Sequence, residues 1–137
     1  MADRNEQLEK FLTEWTDTAE GIKKAFESLA DFLGTKPGLN LEFIPRPGLT
    51  YSLRAGLSDH AGKPMFAMID VIEGEPRWLS VCFYNTLITD PEELGDFVPG
   101  GLLGEDARCF DMESYSDEQL RYLKSRLQEA YSQKQKE

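Results

Sequence analysis

The side chains best suited to binding a ligand are polar or aromatic groups set within or beside apolar runs. They are Arg54, Asp70, Arg77, Trp78 and Tyr84. Small-molecule pockets combine an apolar lining with a few polar groups that orient the ligand, and these residues supply both kinds of group. None of them lies in a motif that indicates catalysis, so the sequence predicts no catalytic residue, no metal site and no cofactor.

Asp70 is the one charged residue in the apolar run Met65–Ile72. A buried charge is unfavourable unless it is paired and hydrogen-bonded. In one interpretation, Asp70 pairs with an arginine, for which Arg46, Arg54 and Arg77 are candidates, or lies at the solvated rim of a sheet. In the other, Asp70 is a carboxylate that faces a ligand in a pocket on the sheet.

Two cysteines, Cys82 and Cys109, and the single histidine, His60, are the candidate residues of a thiol-dependent enzyme. A reactive thiol needs a lowered pKa and some exposure. Cys82 lies in an apolar run and is expected to be a small buried residue, while His60 lies in a polar loop typical of a solvated side chain. In a reducing compartment both cysteines are expected to be free thiols.

Two short apolar runs rich in β-branched and aromatic residues predict strands at Met65–Ile72 and Leu79–Tyr84. Between them, Glu73–Pro76 is predicted to be the turn of a β-hairpin. Apolar and polar residues alternate over 51–57, which indicates another strand, with Arg54 on the face away from the core. Because Met65–Ile72 is apolar on both faces, the sheet is expected to be covered on both sides.

Helices are predicted at both ends of the chain. Residues 1–15 are expected to be helical in part, and apolar residues recur at helical spacing over 22–33. A C-terminal helix over 120–131 follows the capping box of Ser116 and Gln119. Residues 132–137 are predicted to be a frayed tail.

These elements, with further short strands at Leu41–Ile44 and over 108–112, define the expected fold. It is a single α+β domain spanning 1–137. An antiparallel sheet of four to five strands in a meander packs with the N-terminal and C-terminal helices as a two-layer sandwich.

The segment 85–106 is predicted to be the longest irregular stretch, with Asp90 capping a helical turn and a glycine-rich loop over 99–104. The glycines match no phosphate-binding motif, and the acidic residues do not have the spacing of a calcium loop. The segment is therefore expected to fold over one face of the sheet and shield it.

The formal net charge is −10, from 25 acidic and 15 basic residues. Nucleic acids and anionic membrane surfaces require clustered Lys and Arg, so neither is a predicted partner. The chain contains no apolar stretch of the length needed to span a membrane, and its polar N-terminus lacks the apolar run of a signal peptide. The sequence therefore predicts a cytoplasmic protein.

The order of elements resembles that of the small bacterial YdhG-like domains. The resemblance rests on the helix over 22–33, the strands around Tyr51 and Phe66, and the ending CFDMESYSDEQLRYLKSRLQEAY. It implies an α+β sandwich. The function of these domains is uncharacterised, so no site residue is implied by the resemblance.

Three hypotheses for the function remain open. The first is a non-enzymatic module that binds a small molecule between a sheet face and the 85–106 loop. The face formed by Trp78, Ser80, Cys82 and Tyr84 is the better candidate, unless a helix simply covers it. The second is a protein-interaction domain or homodimer, for which an edge strand at Leu41–Ile44 is a candidate surface. The third, least favoured, is a thiol-dependent enzyme.

Overall fold

The computed structural model describes residues 6–58 and 65–137. The helices formed by these residues are α1 (Glu6–Glu14), α2 (Ile22–Gly34) and α3 (Asp117–Gln135). The strands are β1 (Leu39–Arg46), β2 (Thr50–Leu57), β3 (Met65–Ile72), β4 (Trp78–Tyr84), β5 (Asp96–Leu102) and β6 (Glu105–Met112). Among the described residues, no helix has the length and apolar character needed to cross a membrane.

All strand pairs in the sheet are antiparallel, and the order across it is β1-β2-β3-β4-β6-β5. The first four strands form a meander. After β4 the chain crosses to the far edge of the sheet as β5 and returns as β6, which lies between β4 and β5. The predicted α+β class is confirmed, and the described residues form six strands rather than four or five.

The additional strand is β5, which lies within the segment predicted to be a loop. Its turn-forming residues, 99–101, sit where the register with β6 shifts, between Val98 and Leu102. A bulge on an edge strand accommodates glycines and the missing N–H group of proline. The prediction of a loop over 99–104 was therefore wrong, and only 103–104 form the turn of the β5–β6 hairpin.

One face of the sheet carries the core. Its central row is in register across five strands and buried throughout: Phe43, Leu53, Ile69, Val81 and Phe110. The apolar stripes of α2 and α3, which include Phe26 and Leu127, join this row in one buried cluster. Because burying a large apolar side chain contributes about 1.5–3 kcal/mol, this packing of helices on the sheet is what holds the domain together.

The start of α2 is fixed by residues that precede it. The Asp17 carboxylate accepts hydrogen bonds from the N–H groups of Lys23 and Lys24, both at 3.2 Å. Gly21 has a φ of 72°, and a Cβ at this position would lie 2.9 Å from the Cβ of Tyr115. Both the backbone conformation and the close approach therefore require glycine.

Helix α3 begins at the predicted cap, where the Ser116 hydroxyl accepts a hydrogen bond from the Gln119 N–H at 3.1 Å. The prediction of a frayed tail was wrong, because α3 continues through 132–135. Lys134 is buried, and its ammonium group binds the Glu137 carboxylate at 2.8 Å. Burial of this side chain holds the last turn of the helix against the domain.

The face of the sheet opposite the core is called the open face. In β3, Ile69 and Val71 point to the core and are buried, whereas Met68, Asp70 and Ile72 point to the open face and are only half-buried. The described helices contribute their buried residues to the core face. The described helices therefore cover the core face, whereas the open-face side chains of β3 around Asp70 are half-buried without a described helix over them.

Candidate functional site

Side chains on the open face align in rows that cross the strands. One row consists of Ile44, Ser52, Asp70, Ser80 and Asp111. The neighbouring row consists of Glu42, Arg54, Met68, Cys82 and Cys109. Directly opposed residues in an antiparallel pair have Cβ atoms about 4.5–5.5 Å apart. The register therefore gathers Ser52, Arg54 and Asp70 into one group, called the polar patch.

The polar patch contains buried atoms without hydrogen-bond partners. Among the described residues, Ser52 Oγ, Arg54 Nε and Asp70 Oδ1 have none. Ser52 is only 4% exposed, and Arg54 and Asp70 are half-buried. Most buried polar atoms in folded proteins are hydrogen-bonded, and an unsatisfied one costs about 1–3 kcal/mol. Three such atoms lie together on the adjacent strands β2 and β3.

Electrostatics at the polar patch disfavour the charged form of Asp70. Burial raises the pKa of its carboxyl group, and this effect outweighs the opposing influence of the Ser52 hydroxyl, which lies nearby without hydrogen-bond geometry, and of the charges on Arg54 and Arg46. Among residues 6–58 and 65–137, Asp70 forms no direct ion pair with these arginines. The arginine pair that one interpretation of Asp70 predicted is therefore not formed within these residues.

A second carboxyl group on the same row behaves similarly. The pKa of Asp111 is raised by burial and by the negative charges of Asp96 and Glu113. Asp111 lies beyond Ser80 in the row that contains Asp70. The open face therefore has two carboxyl groups whose pKa values are raised.

Trp78 and Tyr84 lie on the open face together with Arg54 and Asp70. Trp78 is opposite Ile72 in the β3–β4 pair, and Tyr84 is opposite Ala107 in the β4–β6 pair. Both aromatic side chains are half-buried. The structure thus places four of the five predicted site residues on one face.

Arg77, the fifth predicted residue, points to the helical side of the sheet. Its guanidinium binds the Glu73 carboxylate through two hydrogen bonds of 3.0 and 3.2 Å. Its Cζ atom lies 5.2, 5.1 and 5.0 Å from the ring centroids of Phe11, Trp15 and Tyr51. These contacts occupy the guanidinium, so we assign Arg77 to the packing between α1 and the sheet.

The segment 85–106 covers one end of the open face through β5. Leu102 is fully buried there and packs in a small cluster with Met65, Met68 and Tyr84. The predicted shielding of a sheet face thus takes place at this end, through a strand rather than a loop. The polar patch adjoins this covered end because Met68 is the neighbour of Arg54 in the β2–β3 pair.

Asp90 anchors the segment that leads into β5. Its carboxylate accepts hydrogen bonds from the Leu94 and Gly95 N–H groups at 3.1 and 2.8 Å and from the Tyr122 hydroxyl, and it lies 3.6 Å from Arg108 Nη1. Burial alone would raise the pKa of Asp90, but these contacts outweigh it and lower the pKa. The sequence correctly indicated Asp90 as a cap, although it closes a turn rather than a helix.

The two cysteines are joined. Cys82 and Cys109 face each other across the β4–β6 pair with Cα atoms 4.1 Å apart and form a disulfide bond. The expectation of two free thiols was wrong, because the strand register brings together residues that are 27 positions apart. A cysteine in a disulfide is not a nucleophile, so the disulfide form lacks the thiolate of the proposed thiol enzyme. His60 lies outside the described residues.

Two adjoining cavities lie on the helical side of the sheet: one of about 530 Å³ between the end of α1 and the β3–β4 hairpin, and one of about 390 Å³ between α1 and the β1–β2 hairpin. Glu14, Trp15 and Arg77 line both cavities. Sequence reasoning missed this region because the helix and the hairpin meet only in three dimensions. Its central polar groups, Arg77 and Glu73, already bind each other, which distinguishes it from the polar patch.

Neither a family model nor a curated protein nor a solved structure matches this chain. The described part of the chain contains no group of three or more histidine, cysteine or carboxylate side chains placed to hold a metal ion.

Proposed function

We propose that this protein is a non-enzymatic module that binds a small polar molecule on the open face of its sheet. The observation that supports the proposal is the polar patch, where Ser52 Oγ, Arg54 Nε and Asp70 Oδ1 are buried and have no hydrogen-bond partner in 6–58 or 65–137. A ligand that formed hydrogen bonds with these atoms would remove the free-energy cost of burying them unsatisfied in the unliganded protein. Trp78 and Tyr84, on the same face, would supply apolar contact to the rest of the ligand.

The chemistry of the polar patch defines the class of ligand. Arg54 Nε is a donor, Asp70 Oδ1 is an acceptor when ionised, and the Ser52 hydroxyl is both. A carboxamide offers an acceptor oxygen beside N–H donors, and this pattern is complementary to the patch. Strongly anionic ligands are disfavoured by the net charge of −10. We therefore propose a neutral molecule that carries a carboxamide group.

The test is a thermal-shift screen with simple carboxamides, matched carboxylates and matched amines, followed by calorimetric titration of any hit. Ligand at one hundred times its Kd should stabilise the folded state by about 2.7 kcal/mol. Ser52→Ala and Asp70→Asn should weaken binding at least tenfold. Ser80→Ala is the matched control, because the Ser80 hydroxyl lies on the same row but contacts Cys82 Sγ at 3.5 Å.

Two results would count against this site. One is a carboxamide whose binding is unaffected by Ser52→Ala and Asp70→Asn. The other is a screen in which none of the three ligand classes shifts the melting temperature. In either case the unpartnered atoms of the patch would not be explained by ligand binding.

We also propose where the protein is located in the cell and to which domains it is related. We propose a cytoplasmic location from the character of the sequence, and kinship with the YdhG-like domains from the order of elements. The Cys82–Cys109 pair provides a check on the location, because disulfides are rare in reducing compartments. Mass spectrometry of thiol-trapped protein from its native cells would reveal the state of the pair.

A further inference from the structure

Exposed apolar side chains are concentrated along one edge of the sheet. The large exposed hydrophobic residues of the described chain are Leu49, Leu94, Phe97, Val98 and Leu103. Four of these five lie between 94 and 103, in or beside β5. Because β5 is the last strand in the sheet order, its outer edge is available for pairing with another strand.

The two edges of the sheet differ in how they resist such pairing. The opposite edge, β1, carries Pro45 and the exposed charges of Glu42 and Arg46 within the strand. Prolines and charged residues are the usual protection of edge strands. In β5, Pro99 and the bulge after Val98 limit pairing to its first half, where the exposed apolar side chains of Phe97 and Val98 follow Asp96. The first half of β5 is therefore the less protected edge.

The chain segment around β5 is predominantly acidic. Residues 85–107 contain six acidic residues and no lysine or arginine. Glu92, Glu93 and Asp96 are exposed close to Phe97 in the chain. The nearest guanidinium, that of Arg108, is occupied by Asp90 and lies 5.9 Å from the Phe97 ring. A second copy of this chain, with the same acids and a net charge of −10, would be repelled from this edge.

We propose that the outer edge of β5 binds an extended, basic segment of a partner protein, which adds to the sheet as a seventh strand. Main-chain hydrogen bonds to β5 would supply affinity. Apolar side chains of the segment would pack on Phe97 and Leu94, and its lysines or arginines would face Glu92, Glu93 and Asp96. This surface is separate from the polar patch, and neither proposal depends on the other.

The probe for this surface is a fluorescently labelled octapeptide of alternating lysine and valine, and its binding is measured by fluorescence anisotropy at low salt. Phe97→Ser and Leu94→Ser should each weaken binding at least fivefold. Leu49→Ser is the matched control, because Leu49 is 67% exposed but lies in the β1–β2 turn. This variant should bind the peptide as the unmodified protein does. The melting temperature of each variant checks that it is folded.

A second peptide separates strand pairing from general charge attraction. Methylation of alternate peptide nitrogens removes main-chain donors and leaves the charge unchanged. If the β5 edge pairs with the segment, the methylated peptide should bind at least tenfold more weakly. Equal binding of the two peptides, or equal binding to the Phe97→Ser and Leu49→Ser variants, would overturn the proposal. Dimerisation of the unmodified protein that Phe97→Ser abolishes would also overturn it, in favour of a second copy.

Discussion

Cys82 and Cys109 stand directly opposite each other in β4 and β6, and their disulfide bond ties the β5–β6 hairpin to the centre of the sheet. The bond closes a loop between residues 27 positions apart. Cys82 also lies next to Met68 in the β3–β4 pair. The disulfide therefore borders the polar patch, on the side where Leu102 covers the open face.

Reduction of this disulfide should destabilise the protein. The loop-closure model gives about 3–4 kcal/mol for a loop of this length, and loss of the constraint should act mainly on β5 and β6. The measurement is urea unfolding with and without a dithiol reductant. The Cys82→Ala, Cys109→Ala double variant is the control, because the reductant should not change its stability. Alkylation of two thiols in native protein under non-reducing conditions would contradict the assignment.

Asp70→Asn should stabilise the unliganded protein at neutral pH, by on the order of 1 kcal/mol, because it removes a buried carboxylate whose Oδ1 atom has no hydrogen-bond partner among the described residues. The pKa of Asp70 is raised in the folded state. The protonated form of Asp70 therefore stabilises the folded state fully at pH values below its usual pKa of 3.8. This stabilisation is lost as the pH rises through the raised pKa. The difference between variant and wild type should therefore grow with pH.

The control for this prediction is Glu42→Gln, a substitution of an exposed carboxylate on the open face. Surface substitutions usually change stability by less than about 0.5 kcal/mol. Chemical denaturation at several pH values would measure both variants. A loss of stability in Asp70→Asn at pH 7 would show that the carboxylate is satisfied, contrary to the geometry of the polar patch.

Tyr122→Phe should lower the free energy of unfolding by about 1–2 kcal/mol, because it removes the hydroxyl that donates to the Asp90 carboxylate. The pKa of Asp90 is lowered in the folded state. The ionised carboxylate of Asp90 therefore stabilises the folded state at pH values above its usual pKa of 3.8. This stabilisation is lost as the pH falls through the lowered pKa. Wild type and Tyr122→Phe should accordingly become similar in stability in acid.

Tyr115→Phe is the control for this effect. Its hydroxyl donates to the Asp117 carboxylate at 2.9 Å on the exposed side of the domain. Its loss should change stability little at any pH. Hydrogen exchange of the Leu94 and Gly95 amides, which also bind Asp90, should accelerate in Tyr122→Phe. Unchanged exchange would show that the anchor does not depend on Tyr122.

Arg77→Lys should destabilise the protein by about 1–2 kcal/mol although the charge is kept. Lysine neither binds Glu73 through two parallel hydrogen bonds nor stacks as a planar group among the rings of Phe11, Trp15 and Tyr51. Arg121→Lys, on the exposed side of α3, is the matched control. If the two variants were equally stable in thermal unfolding, the aromatic contacts would not contribute measurably.

Much of the sheet was predictable because its signals are local. The hairpin of β3 and β4, the strand β2 and the Ser116 cap all follow from residues a few positions apart, and all are present in the structure. The strand β5 was missed because its bulge uses the residues that usually form loops. The disulfide was missed because the pairing of Cys82 with Cys109 depends on the order of strands.

In the candidate site, too, some residues have local signals in the sequence and others depend on which strands become neighbours. The sequence singled out Arg54 and Asp70 from their polar character in apolar surroundings. It did not indicate Ser52, which becomes important only because the β2–β3 register sets it opposite Asp70. It also grouped Arg77 with the other candidates, although Arg77 points to the helical side and is occupied by Glu73.

By itself, the sequence determined the class of fold, the residues of the core and the acidic character of the surface. These properties depend on periodicity and composition, which act over short distances along the chain. Only the tertiary structure decided that β6 inserts between β4 and β5, that the two cysteines meet, and that three atoms of the polar patch are buried without partners among the described residues. Those outcomes depend on which strands become neighbours and in what register, because contacts between distant segments arise only when the whole sheet assembles.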